Sequence, residues 1–322
     1  MNENCRLTLA SLTILAAVTF MAVGFEADGE ESILSRQYDL GKERSLELQY
    51  YRMNVEIIAR AGDGSRANVE TYSMRLMGKP GKLSAGMADR WTCTWFKLKM
   101  GEDPEVTVPA MEQWSYDFNR GVGIDDHGQV LGIPHAKFES LTDDKGKKLD
   151  ALVGYQVYNQ FVQFHAYVDG IAAPALEGGE GIQDLKRIGD RIVLGGFPED
   201  LPLDVGLAIK EGSTYKDGEK TLEFNGLSVM DGSPCALLGV DGGEGSYTMI
   251  IEVMPDVNAT TVGGTRYFGD IYVDLASMWL KKAEITVVDV TETSIGGQVV
   301  ANTTIESHYR IRALTEKEYR VR

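Results

Sequence analysis

Thr304-Ile305-Glu306-Ser307-His308-Tyr309-Arg310-Ile311-Arg312-Ala313-Leu314 sets Ile305, Tyr309, Ile311 and Ala313 against Glu306, His308, Arg310 and Arg312. Side chains of an extended chain point to alternate faces with a period of two, so this stretch reads as a strand with one dry and one wet face. Ser246 to Met254 repeats the pattern with Tyr247, Met249, Ile251 and Val253 together, as do Leu222 with Phe224 and Ile285 with Val287. Asp217-Gly218, Asp231-Gly232, Asp241-Gly242-Gly243, Gly263-Gly264 and Gly296-Gly297 supply turn signals between these runs. With no helical period among them, the C-terminal half reads as an antiparallel meander.

The N-terminal half follows the same style. Leu46 to Arg60, the turn Asp63-Gly64, and Val69 to Met77 read as a hairpin in which Tyr72, Met74 and Leu76 oppose Thr71, Ser73 and Arg75. Trp91 to Met100 and Trp114 to Phe118 follow as further strands. Between the halves, Leu149 to Val168 breaks the alternation. At 100° per residue, Gln156, Asn159, Gln160 and Gln163 share a polar arc expected to face water, and Tyr155, Val157, Tyr158, Phe161, Val162, Phe164, His165 and Val168 fill the opposite side. The expected fold is therefore mainly β: antiparallel meander sheets, as a curved sheet or half-barrel, with one central amphipathic helix. The expected organisation is a leader over 1–24, a β half over 25–148, the linking helix over 149–169 and a β-meander half over 170–322. The halves form one large domain or two small ones.

The 322 residues are 43% hydrophobic, enough for a sizeable core. Their net charge of −16 gives a field that repels nucleic-acid phosphates and anionic headgroups, so no nucleic-acid partner is expected. Leu7 to Phe25 contains no charged residue, and Ala22-Val23-Gly24 offers small residues at a signal-peptidase site. The expectation is an exported protein, periplasmic or extracellular, cleaved after Gly24; an uncleaved anchor is the alternative, and either places the remainder outside the cytoplasm. Cys93 and Cys235 then sit where a disulfide is permitted, either paired or as two buried thiols acting as small hydrophobes.

Signatures of chemistry are few. The chain has no HExxH, CxxC, P-loop, G-x-S-x-G elbow or complete dinucleotide fingerprint, and no cofactor is implied. Asp125, Asp126 and His127 with His135 form the one local set of metal-ligand type, and Asp126-His127-Gly128 also reads as a plain polar turn. His165 lies on the apolar side of the helix, as a satisfied core histidine does. The glycosylation-type triplets at Asn258 and Asn302 carry no weight without knowledge of the source.

Leu201-Pro202-Leu203-Asp204-Val205-Gly206, Gly264-Thr265-Arg266-Tyr267-Phe268 and the run Val273 to Glu284 resemble recurring features of uncharacterised exported bacterial β-rich proteins. More remotely the chain is similar to the lipoprotein-carrier (Lol-type) half-barrels. That resemblance implies a curved sheet wrapping a helix around an apolar cavity. The expected function is thus a non-catalytic envelope protein that holds a lipid or other apolar ligand, or an envelope partner's apolar segment. The aromatic stripe Tyr155, Tyr158, Phe161 and Phe164 supplies the candidate binding residues. A metal-dependent exported hydrolase at Asp125, Asp126, His127 and His135, and a scaffold of the cell envelope, are the alternatives.

Overall fold

In the computed structural model, residues 32–82, 87–121, 123–176, 178–195 and 200–321 are described. The expected leader, its cleavage after Gly24 and Cys5 lie outside them. The chain divides into residues 1–36 and residues 37–322. Of the first unit, 32–36 form a turn in which Ser35 N–H donates to the Ser32 carbonyl at 2.8 Å.

The second unit is one open antiparallel sheet of 14 strands. Strands β1 (Gln49–Ala61), β2 (Arg66–Lys79) and β3 (Asp89–Met100) are consecutive neighbours, with β4 (Val106–Thr107) and β5 (Trp114–Phe118) both paired to β3. After the helix come the short β6 (Arg191–Leu194), β7 (Leu201–Pro202) and β8 (Thr214–Lys216), then β9 (Lys220–Met230), β10 (Ser233–Asp241) and β11 (Gly245–Met254). The long β12 (Val257–Asp274), β13 (Leu280–Ile295) and β14 (Gln298–Ala313) complete the meander. Pairing of β1 with β14 joins strands of both sequence halves in a single sheet. On its other side β12 divides its length, with Val257 to Thr265 on β11 and Phe268 to Asp274 on β10.

Alternation explains this sheet residue by residue. Tyr72, Met74 and Leu76 of β2, Met53 and Val55 of β1, and Tyr309 and Ile311 of β14 are buried on one face. Their strand neighbours Arg52, Arg310 and Arg312 are exposed. Two hairpins use the turn chemistry the sequence offers. Asp231 and Gly232 have φ of 51° and 82°, and Gly296 and Gly297 have φ of 58° and 80°, the left-handed pair that matches strand twist in a two-residue loop. Gly263-Gly264, expected as a turn, instead lies inside β12, and the chain turns earlier at Asp256, where φ is 63°. A Cβ on Gly263 would stand 2.8 Å from the Tyr247 ring across the strand, so this glycine provides room for an aromatic side chain.

The helix α1 (Ala151–His165) continues as a wider π turn over Ala166–Ile171. Asp150 caps it, accepting from Leu152 N–H at 2.8 Å. Phe161 and Phe164 are fully buried against the inner face of the sheet and Tyr158 against the segment around His135 and Phe138, each contributing roughly 1.5–3 kcal/mol by removal from water. The polar arc is drier than expected. Gln156, Asn159 and Gln163 are half-buried, and Gln160 is only 1% exposed. Gln160 donates through Nε2 to the Gln156 carbonyl, and its Oε1 has no partner among the described residues. The segment around Phe138 packs on the apolar side of the helix, so closely that a Cβ on Gly154 would meet the Phe138 carbonyl at 2.7 Å. Cys93 and Cys235 are buried free thiols on β3 and β10, not a disulfide. Burial pushes the Cys235 thiol up to about 11.

Candidate functional site

The four aromatic candidates on α1 are parts of the core. Phe161 stacks on Phe96 with centroids 5.8 Å apart and meets Trp114 edge-on at 5.2 Å. Phe164 packs edge-on against Trp91 at 5.1 Å and Tyr51 at 5.5 Å. Tyr158 sits edge-on to His135 at 4.6 Å, and its hydroxyl accepts from Val130 N–H at 3.1 Å. Tyr155 lies beside it, at 6.3 Å between centroids. None of the four lines either of the two cavities described below.

Asp125, Asp126, His127 and His135 do not converge. Asp125 uses its carboxylate on its own turn, accepting from His127 N–H and Gln129 N–H at 2.9 Å each. Asp126 and His127 are exposed. His135 is buried and lies 3.0 Å from Asp204 through Nε2, although neither atom has an aligned hydrogen bond among the described residues. Gly206 makes room for that ring, for its φ is +128° and a Cβ there would stand 2.4 Å from His135 Nδ1. The motif Leu201 to Gly206 thus closes over His135. Among the described residues no group of three or more His, Cys, Asp or Glu is arranged to hold a metal ion.

Sequence reading missed the most highly organised polar cluster. At the end of the helix His165 Nδ1 is 2.7 Å from Asp169 Oδ2, and His165 Nε2 is 2.8 Å from the Tyr116 hydroxyl. An ionised carboxylate only accepts, so Nδ1 carries the proton and donates, and in the neutral ring Nε2 accepts from Tyr116. Arg44 completes the cluster: Nη1 donates to Asp169 Oδ1 at 2.6 Å, Nη2 donates to the Val168 carbonyl, and the guanidinium lies 4.0 Å from the centroid of Trp279. Burial by itself would raise the Asp169 carboxyl, but the hydrogen bond from His165 and the charge of Arg44 hold it below its usual range. Both His165 nitrogens are engaged, and neither His165 nor Tyr116 lines a described cavity. The cluster is placed to fasten the segment 37–48, β5 and the helix end together.

Beside it lies a cavity of about 220 Å³ with mixed apolar and charged walls that include Arg44, Asp89, Arg120, Leu176 and Trp279. Burial raises the Asp89 carboxyl, opposed by the hydrogen bond from Gly81 N–H at 2.7 Å. Burial, and then the like charge of Arg44, pull the Arg120 guanidinium below its ordinary value. Arg120 in turn donates to the Pro174 carbonyl. Arg44 and Arg120 lower the Asp89 carboxyl by their charge, although neither forms an ion pair with it among the described residues.

The larger opening, about 540 Å³, is at the other end of the helix. Leu98 and Met100 of β3 and Val106 of β4 form its sheet side, and Leu149 and Val153 form its helix side. No family model matches the chain, and no curated protein matches it. The acidic groups around this groove are used locally: Asp143 accepts from Lys145 N–H at 2.9 Å and Lys147 N–H at 2.8 Å, and Asp150 caps the helix. Asp103, Lys147 and Lys148 also line it, so apolar and charged side chains share its walls, with the apolar ones on the strands and at the start of the helix. The signal for it in the sequence is the apolar spacing of Leu149 and Val153, one turn apart.

Proposed function

We propose that this is a non-catalytic, exported envelope protein that holds the apolar chain of a lipid-like ligand in the groove between the start of α1 and strands β3 and β4. The observation that carries the reading is the groove itself, about 540 Å³ with Leu98, Met100, Val106, Leu149 and Val153 on its walls. A volume in the range of small-molecule sites, bounded by apolar side chains on two rigid elements, suits an alkyl chain. The similarity to lipoprotein-carrier half-barrels supports the same class of ligand, and the uncharged run Leu7 to Phe25 supports export. The ligand lies beside the helix, because the aromatic stripe fills the space beneath it.

The test is uptake of a neutral apolar fluorophore by the purified protein, together with native mass spectrometry for copurified lipid. Val153→Phe fills the groove from a half-buried position and is expected to reduce uptake at least tenfold with little change in melting temperature. Equal uptake by the variant and the wild type, or no uptake and no copurified lipid in the wild type, overturns the reading.

A further inference from the structure

The inner face of the sheet continues along the distal halves of β12 and β13 and along β11, and its side chains change character there. Register places Tyr247 of β11 opposite Gly263, and Thr265 of β12 opposite Asp289 of β13. Counting by twos from the buried pair Ile271 and Val273 gives Tyr267, Thr265 and Gly263 the inward direction; from Ile285 on β13 it gives Val287, Asp289 and Thr291. Tyr247, Tyr267 and Asp289 are half-buried, unlike the closed core beneath α1.

Both rings rest on glycine. A Cβ on Gly263 would be 2.8 Å from Tyr247, and one on Gly242 would be 2.1 Å from Tyr267. Each ring thus lies against the sheet where a side chain is missing. Asp289 lies among them, and its charge is felt by the phenols of Tyr167, Tyr247 and Tyr309. Burial raises the Asp289 carboxyl, and the only opposing influence is the hydroxyl of Thr265; no Lys, Arg or His pairs with it among the described residues. The charge of a partly buried carboxylate is ordinarily matched by a cation from the protein.

We infer that Tyr247, Tyr267 and Asp289 form a binding site for a small organic cation, an ammonium group held against the tyrosine rings with Asp289 as its counter-charge. Ring quadrupoles attract cations, and quaternary ammonium groups, which have no hydrogen-bond donors, are well suited to such rings. The chain's net charge of −16 raises the local concentration of cations. This site shares no residue with the groove at Leu98 and Val153, so the two readings stand or fall separately.

Calorimetric titration of the whole protein with choline and with its uncharged carbon isostere 3,3-dimethylbutan-1-ol tests the inference. Choline is expected to bind at least tenfold more tightly than the isostere. Asp289→Asn should remove that preference, Tyr247→Leu should weaken choline tenfold or more, and Tyr247→Phe should retain binding. Should Asp289→Asn fail to fold, the wild-type preference and the two Tyr247 variants still decide. Equal affinity for choline and the isostere, no binding of choline, or Tyr247→Leu binding as the wild type does would overturn it.

Discussion

Arg44 and Asp169 are 125 residues apart in the chain, yet their side chains meet at 2.6 Å with both almost wholly removed from water. Asp169 also accepts a hydrogen bond from His165 Nδ1, so one carboxylate ties the segment before β1 to the last turn of the central helix. A buried pair of this kind is weak evidence of net stabilisation, because desolvation offsets much of the attraction. Breaking it is another matter, since the partner left behind remains buried.

Arg44→Ala leaves Asp169 buried with only His165 to satisfy it. The expected cost is about 3–5 kcal/mol in urea-induced unfolding, the range for removing one member of a buried ion pair. Arg44→Lys should fall between, because an ammonium cannot serve Asp169, the Val168 carbonyl and the Trp279 ring from one planar group. A loss under about 0.5 kcal/mol for Arg44→Ala would show that the cluster is not a fastening.

The same carboxyl sets a pH dependence. Its pKa in the folded protein is lowered, so its contribution is fully present above the unfolded value of about 3.9 and is lost as pH falls through the folded value. Wild-type protein should therefore exceed Asp169→Asn in stability by a constant margin from pH 5 upward, and the margin should shrink at lower pH. A margin that grows on acidification contradicts the assignment.

Strands and the helix were legible in the sequence because periodicity records which side of an element is wet. β14 and β2 each have one partly solvated face, and a period of two follows directly from that. The reading failed where the environment came from elsewhere in the chain. Gln160 lies in the polar arc of a wheel that assumes one dry side, yet it is only 1% exposed, so other parts of the chain cover a side that the period alone assigns to water. Gly263-Gly264 has the composition of a turn, and only the Tyr247 ring on the neighbouring strand reveals its other use. Of the cluster at Arg44, only the spacing of His165 and Asp169, one turn apart, is local; Arg44 and Tyr116 reach them by tertiary closure.

These corrections alter what the helix mutants should do. Phe161 touches Phe96, Trp114, Tyr116 and Phe138, so Phe161→Ala should cost about 3–5 kcal/mol through a cavity that rigid strands do not fill. Gln160→Met removes a buried acceptor that lacks a partner while keeping volume, and should be neutral or stabilising by about 1 kcal/mol. Thermal melts of the two variants beside the wild type decide; a severe loss for Gln160→Met would mean that Oε1 is satisfied after all.

The cysteines offer a chemical probe of the sheet. Cys93 and Cys235 are buried and unpaired, and burial raises both thiols above their ordinary range, Cys235 to about 11. The thiolate is the reactive form, so at pH 8 both should resist a thiol reagent in the folded protein and react promptly in denaturant. Reducing agent should leave the melting temperature unchanged. Peptide mapping that recovers a Cys93–Cys235 disulfide would refute the arrangement of β3 and β10.

Adjacent glycines in β12 provide the sharpest local test, because they share a strand and a composition but face opposite ways. Gly263 points inward, where an added methyl would stand 2.8 Å from the Tyr247 ring and 3.1 Å from Thr291 Cγ2; Gly264 points outward, with only the Gly245 carbonyl in reach at 3.9 Å. Neither has the positive φ that reserves a position for glycine. Replacement by alanine at Gly264 should therefore be tolerated, and should gain about 0.5–1 kcal/mol from the lower entropy of the unfolded chain. At Gly263 the same gain is opposed by displacement of an aromatic ring between two paired strands, an overpacking typically worth about 1–3 kcal/mol, so Gly263→Ala should be the less stable variant. If choline binds against the Tyr247 ring, Gly263→Ala should also weaken it while Gly264→Ala does not. Equal melting temperatures for the two variants would mean that Tyr247 does not lie over Gly263, and the aromatic floor of the cation site would go with it.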